Sequence, residues 1–103
     1  MYSLSARGRW KDASIECDAA GYPSANVFQR LTERLRRVPG APWFALIGAV
    51  DRRSETCFVI GAGRTVVAPA SGELTCFAND LRGFYFNNDG SVTVTVTPAG
   101  VAT

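Results

Sequence analysis

The sequence predicts an all-β domain: an antiparallel β-sandwich, jelly-roll-like, with one short helix inserted after the second strand. Three observations predict it. Short apolar or alternating runs recur along the chain, seven in all, each closed by Gly, Pro, Asn or Asp. One segment, from Val27 to Val38, instead carries the three- and four-residue spacing of a helix. The 103 residues suffice for one core but not two, so residues 1–103 read as a single domain.

The first strand is Tyr2-Ser3-Leu4-Ser5-Ala6, which alternates apolar and polar as a half-buried strand does. Gly8 interrupts it, and Trp10 is expected to close one end of the core. Ala13 to Ala19 alternates again, with Ile15 and Cys17 facing in and Glu16 and Asp18 facing water. Gly21-Tyr22-Pro23 ends that strand, because Pro cannot donate into a ladder.

The helix follows. Val27, Phe28, Leu31, Leu35 and Val38 form its apolar face, which is expected to lie on the sandwich. Asn26 can cap it, and Gln29 three residues on completes a capping-box pattern. Arg34, Arg36 and Arg37 fall in the last turn, where cations complement the helix dipole. Arg30, Arg34 and Arg37 share a solvated face, with Glu33 paired to Arg37. Pro39-Gly40 stops the helix.

Strands resume after Pro42. Trp43-Phe44-Ala45-Leu46-Ile47 is apolar on both parities, so it is central or covered on both faces. Gly48 and Asp51-Arg52-Arg53-Ser54 are expected in a turn region. Thr56 to Ile60 is the next strand, closed by Gly61-Ala62-Gly63, which lacks the pattern of a phosphate loop. Thr65-Val66-Val67 and Glu73 to Phe77 follow, separated by a Pro- and Gly-containing turn. The last strand is Ser91 to Thr97. Val92, Val94 and Val96 face in, with Ser91, Thr93, Thr95 and Thr97 facing water or a partner.

Composition removes several function classes. The net charge of +2 gives no electrostatic footprint for nucleic acid. No apolar run approaches the roughly 20 residues that span a bilayer. The first residues lack the apolar centre of a signal peptide, so a cytoplasmic or non-classically secreted protein is expected. Cys17, Cys57 and Cys76 are odd in number and lack CxxC spacing, which argues against a complete disulfide framework and against zinc. Each is expected to behave as a small buried hydrophobe. The chain has no His, so Ser-His-Asp and Cys-His chemistry and imidazole ligation are excluded. Carboxylate-pair catalysis stays open on residues such as Asp12, Asp51 and Asp80, whose separation the sequence does not give, and a non-catalytic protein is expected.

The richest stretch for function runs from Phe77 to Gly90. Asp80 stands a short loop before Asn87-Asn88-Asp89. Two readings stand on these residues. Asn, Asp and Gly tolerate left-handed angles, so Asn88-Asp89-Gly90 suits a hairpin turn. Asp and Asn also offer hard oxygen ligands, and calcium takes six to eight of them.

Ala19-Ala20-Gly21-Tyr22, Ala45-Leu46-Ile47-Gly48, Phe58-Val59-Ile60-Gly61, Gly72-Glu73-Leu74, and Asn79-Asp80 with Gly83, Tyr85, Asn87-Asn88 and Gly90-Ser91 occur in this order. In these blocks the chain resembles the PA-IL family of galactophilic bacterial lectins, small calcium-dependent β-sandwiches with a galactose-binding-like fold. The resemblance implies Ca2+ held by the side chains of Asp80, Asn87 and Asn88. It adds backbone carbonyls at Phe84 and near Ala25. Two neighbouring sugar hydroxyls would complete the shell, with sugar contacts at Asp80, Leu81 and Asn87, and Gln29 nearby. It also implies a galactose-like carbohydrate as partner and a homo-oligomer, which a Thr-rich outer face suits. The chain departs from the family in three places: Phe84 and Phe86 replace small residues inside the calcium loop, the family's paired cysteines have no clear equivalent, and the sugar loop differs. The family's sugar loop carries a His and a Gln on a Pro/Gly-rich stretch, and here the helix stands instead. A structural or interaction module that keeps the sandwich without sugar binding is the alternative reading.

Overall fold

In a computed structural model of the chain, residues 1–81, 85 and 88–99 are described. The first sheet is built on β1 (Tyr2–Asp12). The last strand of the chain, Asn88–Pro98, pairs with it antiparallel along its whole length, from Tyr2 opposite Pro98 to Asp12 opposite Asn88. Two short strands share the other edge of β1. β2 (Ile15–Cys17) lies opposite Trp10–Asp12, and a strand at Gly63–Val66 lies opposite Tyr2–Ser5. The second sheet centres on β3 (Leu46–Val50), between β4 (Phe58–Val59) and a strand at Leu74–Ala78. In chain order the strand at Gly63–Val66 is β5, that at Leu74–Ala78 is β6, and the last is β7. All pairings are antiparallel. The described residues hold seven strands and one α-helix, α1 (Val27–Leu31). The fold is the expected all-β sandwich with a lone short helix.

The core lies where the inner faces meet. Leu4 is buried between exposed Ser3 and Ser5, as a period of two demands. Leu4, Ala19, Leu46 and Ile60 form its centre, with Ala6, Trp10, Val92 and Val94 packed against them. Trp10 meets Phe44 edge to face at 5.7 Å, a favoured aromatic geometry. Val92 and Val94 thus face inward while Ser91, Thr93, Thr95 and Thr97 are exposed. Val96, near the end of the strand, stays 42 % exposed. Because Val94 is only partly buried, Val94→Ala should destabilise by about 1–2 kcal/mol in urea denaturation.

Several expectations move. Gly48 is not in a turn but in the middle of β3. A Cβ there would lie 2.7 Å from the Phe58 ring, so the glycine lets Phe58 cover the strand. Trp43, Phe44 and Ala45 are buried as expected but precede the strand. Phe44 takes a left-handed φ of 58°, which breaks the extended run. Cys17 is buried, Cys57 is half-buried, and Cys76 is exposed on β6, an edge strand; all three are free thiols.

The helix is the largest correction. It is only five residues long and gives way to a 3-10 turn at Glu33–Leu35. Its apolar face points outward: Val27, Phe28, Leu31 and Leu35 are all exposed, and Gln29 is buried. Asn26 does cap it, its Oδ1 accepting from the Gln29 N–H at 2.8 Å. Glu33 accepts from the Ser24 hydroxyl and is not paired with Arg37. Arg37 is not in solvent either; its guanidinium lies 3.6 Å from the centre of the Phe77 ring. Among the described residues no helix is long and apolar enough to cross a membrane.

Candidate cation site

β6 ends at Ala78 and delivers Asn79 and Asp80 into the interior, 0 % and 3 % exposed. Asn79 is a staple. Its amide nitrogen donates to the carbonyls of Val38, Ala41 and Pro42, and its oxygen accepts from the Val38 N–H. This binds the loop after the helix to the second sheet and fixes the residue that follows. Asp80 Oδ1 accepts from the Leu81 N–H at 2.7 Å. Asp80 Oδ2 is buried and has no hydrogen-bond partner.

A second carboxylate arrives from the other sheet. Asp12 ends β1 directly opposite Asn88 in the β1–β7 register. Its Oδ2 accepts from the Tyr22 hydroxyl at 2.5 Å and from the Gln29 amide at 3.4 Å. Gln29 also donates to the Tyr22 oxygen at 2.6 Å, and its own oxygen accepts from the Ala25 N–H at 2.7 Å. Tyr22 is held by backbone bonds in both directions with Trp43. This network explains the orientation of α1. Gln29 sits on the opposite side of the helix from Val27, Phe28 and Leu31. Turning it outward would take the Gln29 donor from the half-buried Tyr22 oxygen. It would leave the buried Asp12 carboxylate with the Tyr22 hydroxyl as its one side-chain donor among the described residues, in exchange for covering only part of an apolar face. Asp12, Gln29, Trp43, Asp80 and Leu81 line one cavity of about 190 Å³.

The electrostatics are those of an uncompensated anionic pocket. Burial is the main cause that raises the Asp80 carboxyl above its ordinary range; the Asp12 charge adds to it, while the Leu81 N–H and the Asn88 side chain oppose it. Burial, with Asp12 accepting its hydrogen bond, holds the proton on Tyr22, so Tyr22 stays a donor. Neither Asp12 nor Asp80 joins the ion pairs of the described residues, Arg9–Glu16 and Arg53–Glu55. Asn88 Oδ1 is a second buried oxygen with no partner. No three His, Cys, Asp or Glu side chains converge among the described residues, so the donor set is two carboxylates and an amide. Such hard oxygens, two of them orphaned, fit a calcium ion better than a soft metal.

The sequence-predicted residues are partly gathered here. Asp80, Leu81 and Gln29 line the cavity, and Asn88 lies beside Asp80. Ala25 is exposed and its N–H anchors Gln29; it does not line the cavity. Phe84 and Asn87 lie outside the described residues. Asp12 and Tyr22 were missed as site residues. The signal for Asp12 is only a carboxylate at the end of an alternating strand, and cross-strand register is what sets it opposite Asn88. No protein-family model matches the chain, and no curated protein matches it.

Proposed function

We propose that this chain is a calcium-dependent carbohydrate-binding domain, akin to the PA-IL lectins and specific for galactose or a related sugar. The observation that carries the proposal is the pair of buried, unpartnered oxygens, Asp80 Oδ2 and Asn88 Oδ1, beside the Asp12 carboxylate. Asp80, Asn88 and Asn87 would hold the ion, with carbonyls from Phe84 and the Ala25 region. Calcium, when bound, supplies coordination positions that neighbouring sugar hydroxyls can fill. Asp12 adds negative charge, and Gln29 and Tyr22 hold Asp12 in place. The domain is non-catalytic in this reading. Among the described residues β7 pairs only with β1, and its free edge beside the exposed Thr93, Thr95 and Thr97 suits a homo-oligomer contact.

Calcium that binds only the folded state adds about 2.7 kcal/mol at roughly a hundredfold excess over Kd. Millimolar calcium should therefore raise the melting temperature of chelated protein, and Asp80→Asn should remove most of that rise. The pH dependence has a definite sign. A carboxyl with a raised folded pKa favours the metal-free fold below its unfolded pKa, and that advantage fades as pH rises through the folded pKa. Calcium needs the ionised form, so its stabilisation should grow with pH over the same window. A screen of galactosides with and without calcium then tests the sugar. An unchanged melting temperature would sink the proposal.

One observation favours the alternative, an interaction module without sugar binding. Val27, Leu31 and Leu35 are 72 %, 79 % and 67 % exposed on the helix side of the site. Calcium-dependent melting with no glycan retained at any concentration would support that reading.

A further inference from the structure

The second sheet carries a different chemistry on its outer face. A cleft of about 540 Å³ opens there, lined among others by Arg37, Arg52, Ser54, Cys57 and Thr75. Two guanidinium groups reach it, and neither is in an ion pair with any described residue. Arg37 rests on the Phe77 ring, and Tyr85 lies behind it at 5.9 Å. Its Nε is buried without a partner, and its one side-chain bond among the described residues, to the Tyr85 hydroxyl, is long at 3.5 Å. A guanidinium held over an aromatic ring, with an N–H unanswered, is preorganised for a planar or tetrahedral oxyanion.

Arg52 is placed there against local preference. Val50 to Arg53 form a tight turn closed by the Arg53 N–H on the Val50 carbonyl at 3.0 Å. Both central residues, Asp51 and Arg52, have left-handed φ of 52° and 60°. That is a type I′ geometry, which ordinarily selects Asn-Gly or Asp-Gly. An arginine at the second position is unfavourable for the fold, and the Thr56 hydroxyl, bonded to the Val50 and Arg53 backbones, braces the turn. The neighbouring carboxylates are not in ion pairs with Arg37 or Arg52 among the described residues. Asp51 accepts from the Glu73 N–H at 2.7 Å, and Glu55 pairs with Arg53.

We propose that this cleft binds a small oxyanion, the phosphate or carboxylate group of a soluble molecule, between Arg37 and Arg52. Ser54, exposed at the rim, offers a hydroxyl donor to the same group. The Thr75 hydroxyl already donates to the Ala49 carbonyl and only shapes the wall. The volume exceeds that of a bare ion and falls in the range of small-molecule sites. The Arg37 N–H donates to the Asp80 carbonyl at 3.1 Å, so the cleft adjoins the cation site, but the oxyanion contacts themselves need no calcium.

The test is a titration of the full chain in chelated, calcium-free buffer, with inorganic phosphate in one arm and citrate in the other. Amide NMR shifts should saturate and cluster at Arg37, Arg52, Ser54 and Thr75, and the tighter arm names the anion. Arg52→Gly restores the Asp-Gly turn. It should raise the melting temperature while weakening the anion on the order of tenfold or more, the loss of one charge-assisted contact. Arg37→Lys keeps the charge without the fork and should weaken it too. Shifts that never saturate or scatter over the surface in both arms would overturn the proposal. So would binding left undiminished in both variants.

Discussion

Replacing Asn79 with alanine is expected to cost roughly 3–5 kcal/mol and to leave a chain that unfolds in mild urea. The side chain is wholly buried and satisfies four backbone groups: the Val38 N–H and the carbonyls of Val38, Ala41 and Pro42. Its own backbone exchanges bonds with Phe44 and Ala45. Truncation leaves the Val38 N–H and the Ala41 carbonyl without their Asn79 partner, while the Val38 and Pro42 carbonyls keep the Ala41 and Ala45 N–H. Unanswered buried groups cost more than a made bond returns. Asn79→Asp should also destabilise, since it loses the donors and buries a charge. A loss of under about 1 kcal/mol in denaturant unfolding would mean the loop is held by other contacts. The variant also separates two roles that lie side by side in the chain: Asn79 carries structure, and Asp80 carries the proposed ion.

Gly21→Ala should be comparably severe, about 3 kcal/mol or more. Gly21 has φ of 80°, a left-handed angle that disfavours any Cβ. A Cβ there would lie 2.3 Å from the Trp43 carbonyl oxygen and 2.5 Å from the Ala45 nitrogen, both rigid backbone atoms. The strands would have to part at the bridge that holds Tyr22 to Trp43. Tyr22 orients Asp12, so the same change should reduce the calcium-dependent rise in melting temperature as well as the stability of the calcium-free protein. A variant as stable as the parent would show that this bridge is not fixed.

What the chain disclosed before folding follows from the range of the interactions. The alternation around Leu4 and through Val92 and Val94 is local, and those residues face inward as expected. The Asp80 and Asn88 oxygens were marked by residue type alone. The helix misled because its spacing was judged without its neighbours. Val27, Phe28 and Leu31 make a good apolar stripe, but a five-residue helix turns to suit Gln29, which answers Asp12 and Tyr22 from distant segments. Asp12 itself needed the β1–β7 register to meet Asn88. Gly48 looked like a turn because the Phe58 ring that covers it comes from another strand. The left-handed Asp51-Arg52 pair carries no glycine to announce it. The Arg37 guanidinium on Phe77 likewise joins segments forty residues apart in the chain.

Calorimetric titration of calcium into chelated protein tests the central claim most directly. Saturable binding of a single ion per chain is expected, abolished in Asp80→Asn and weakened in Asp12→Asn. Absence of saturable heat at any pH where the chain is folded, together with a melting temperature indifferent to calcium, would contradict the account.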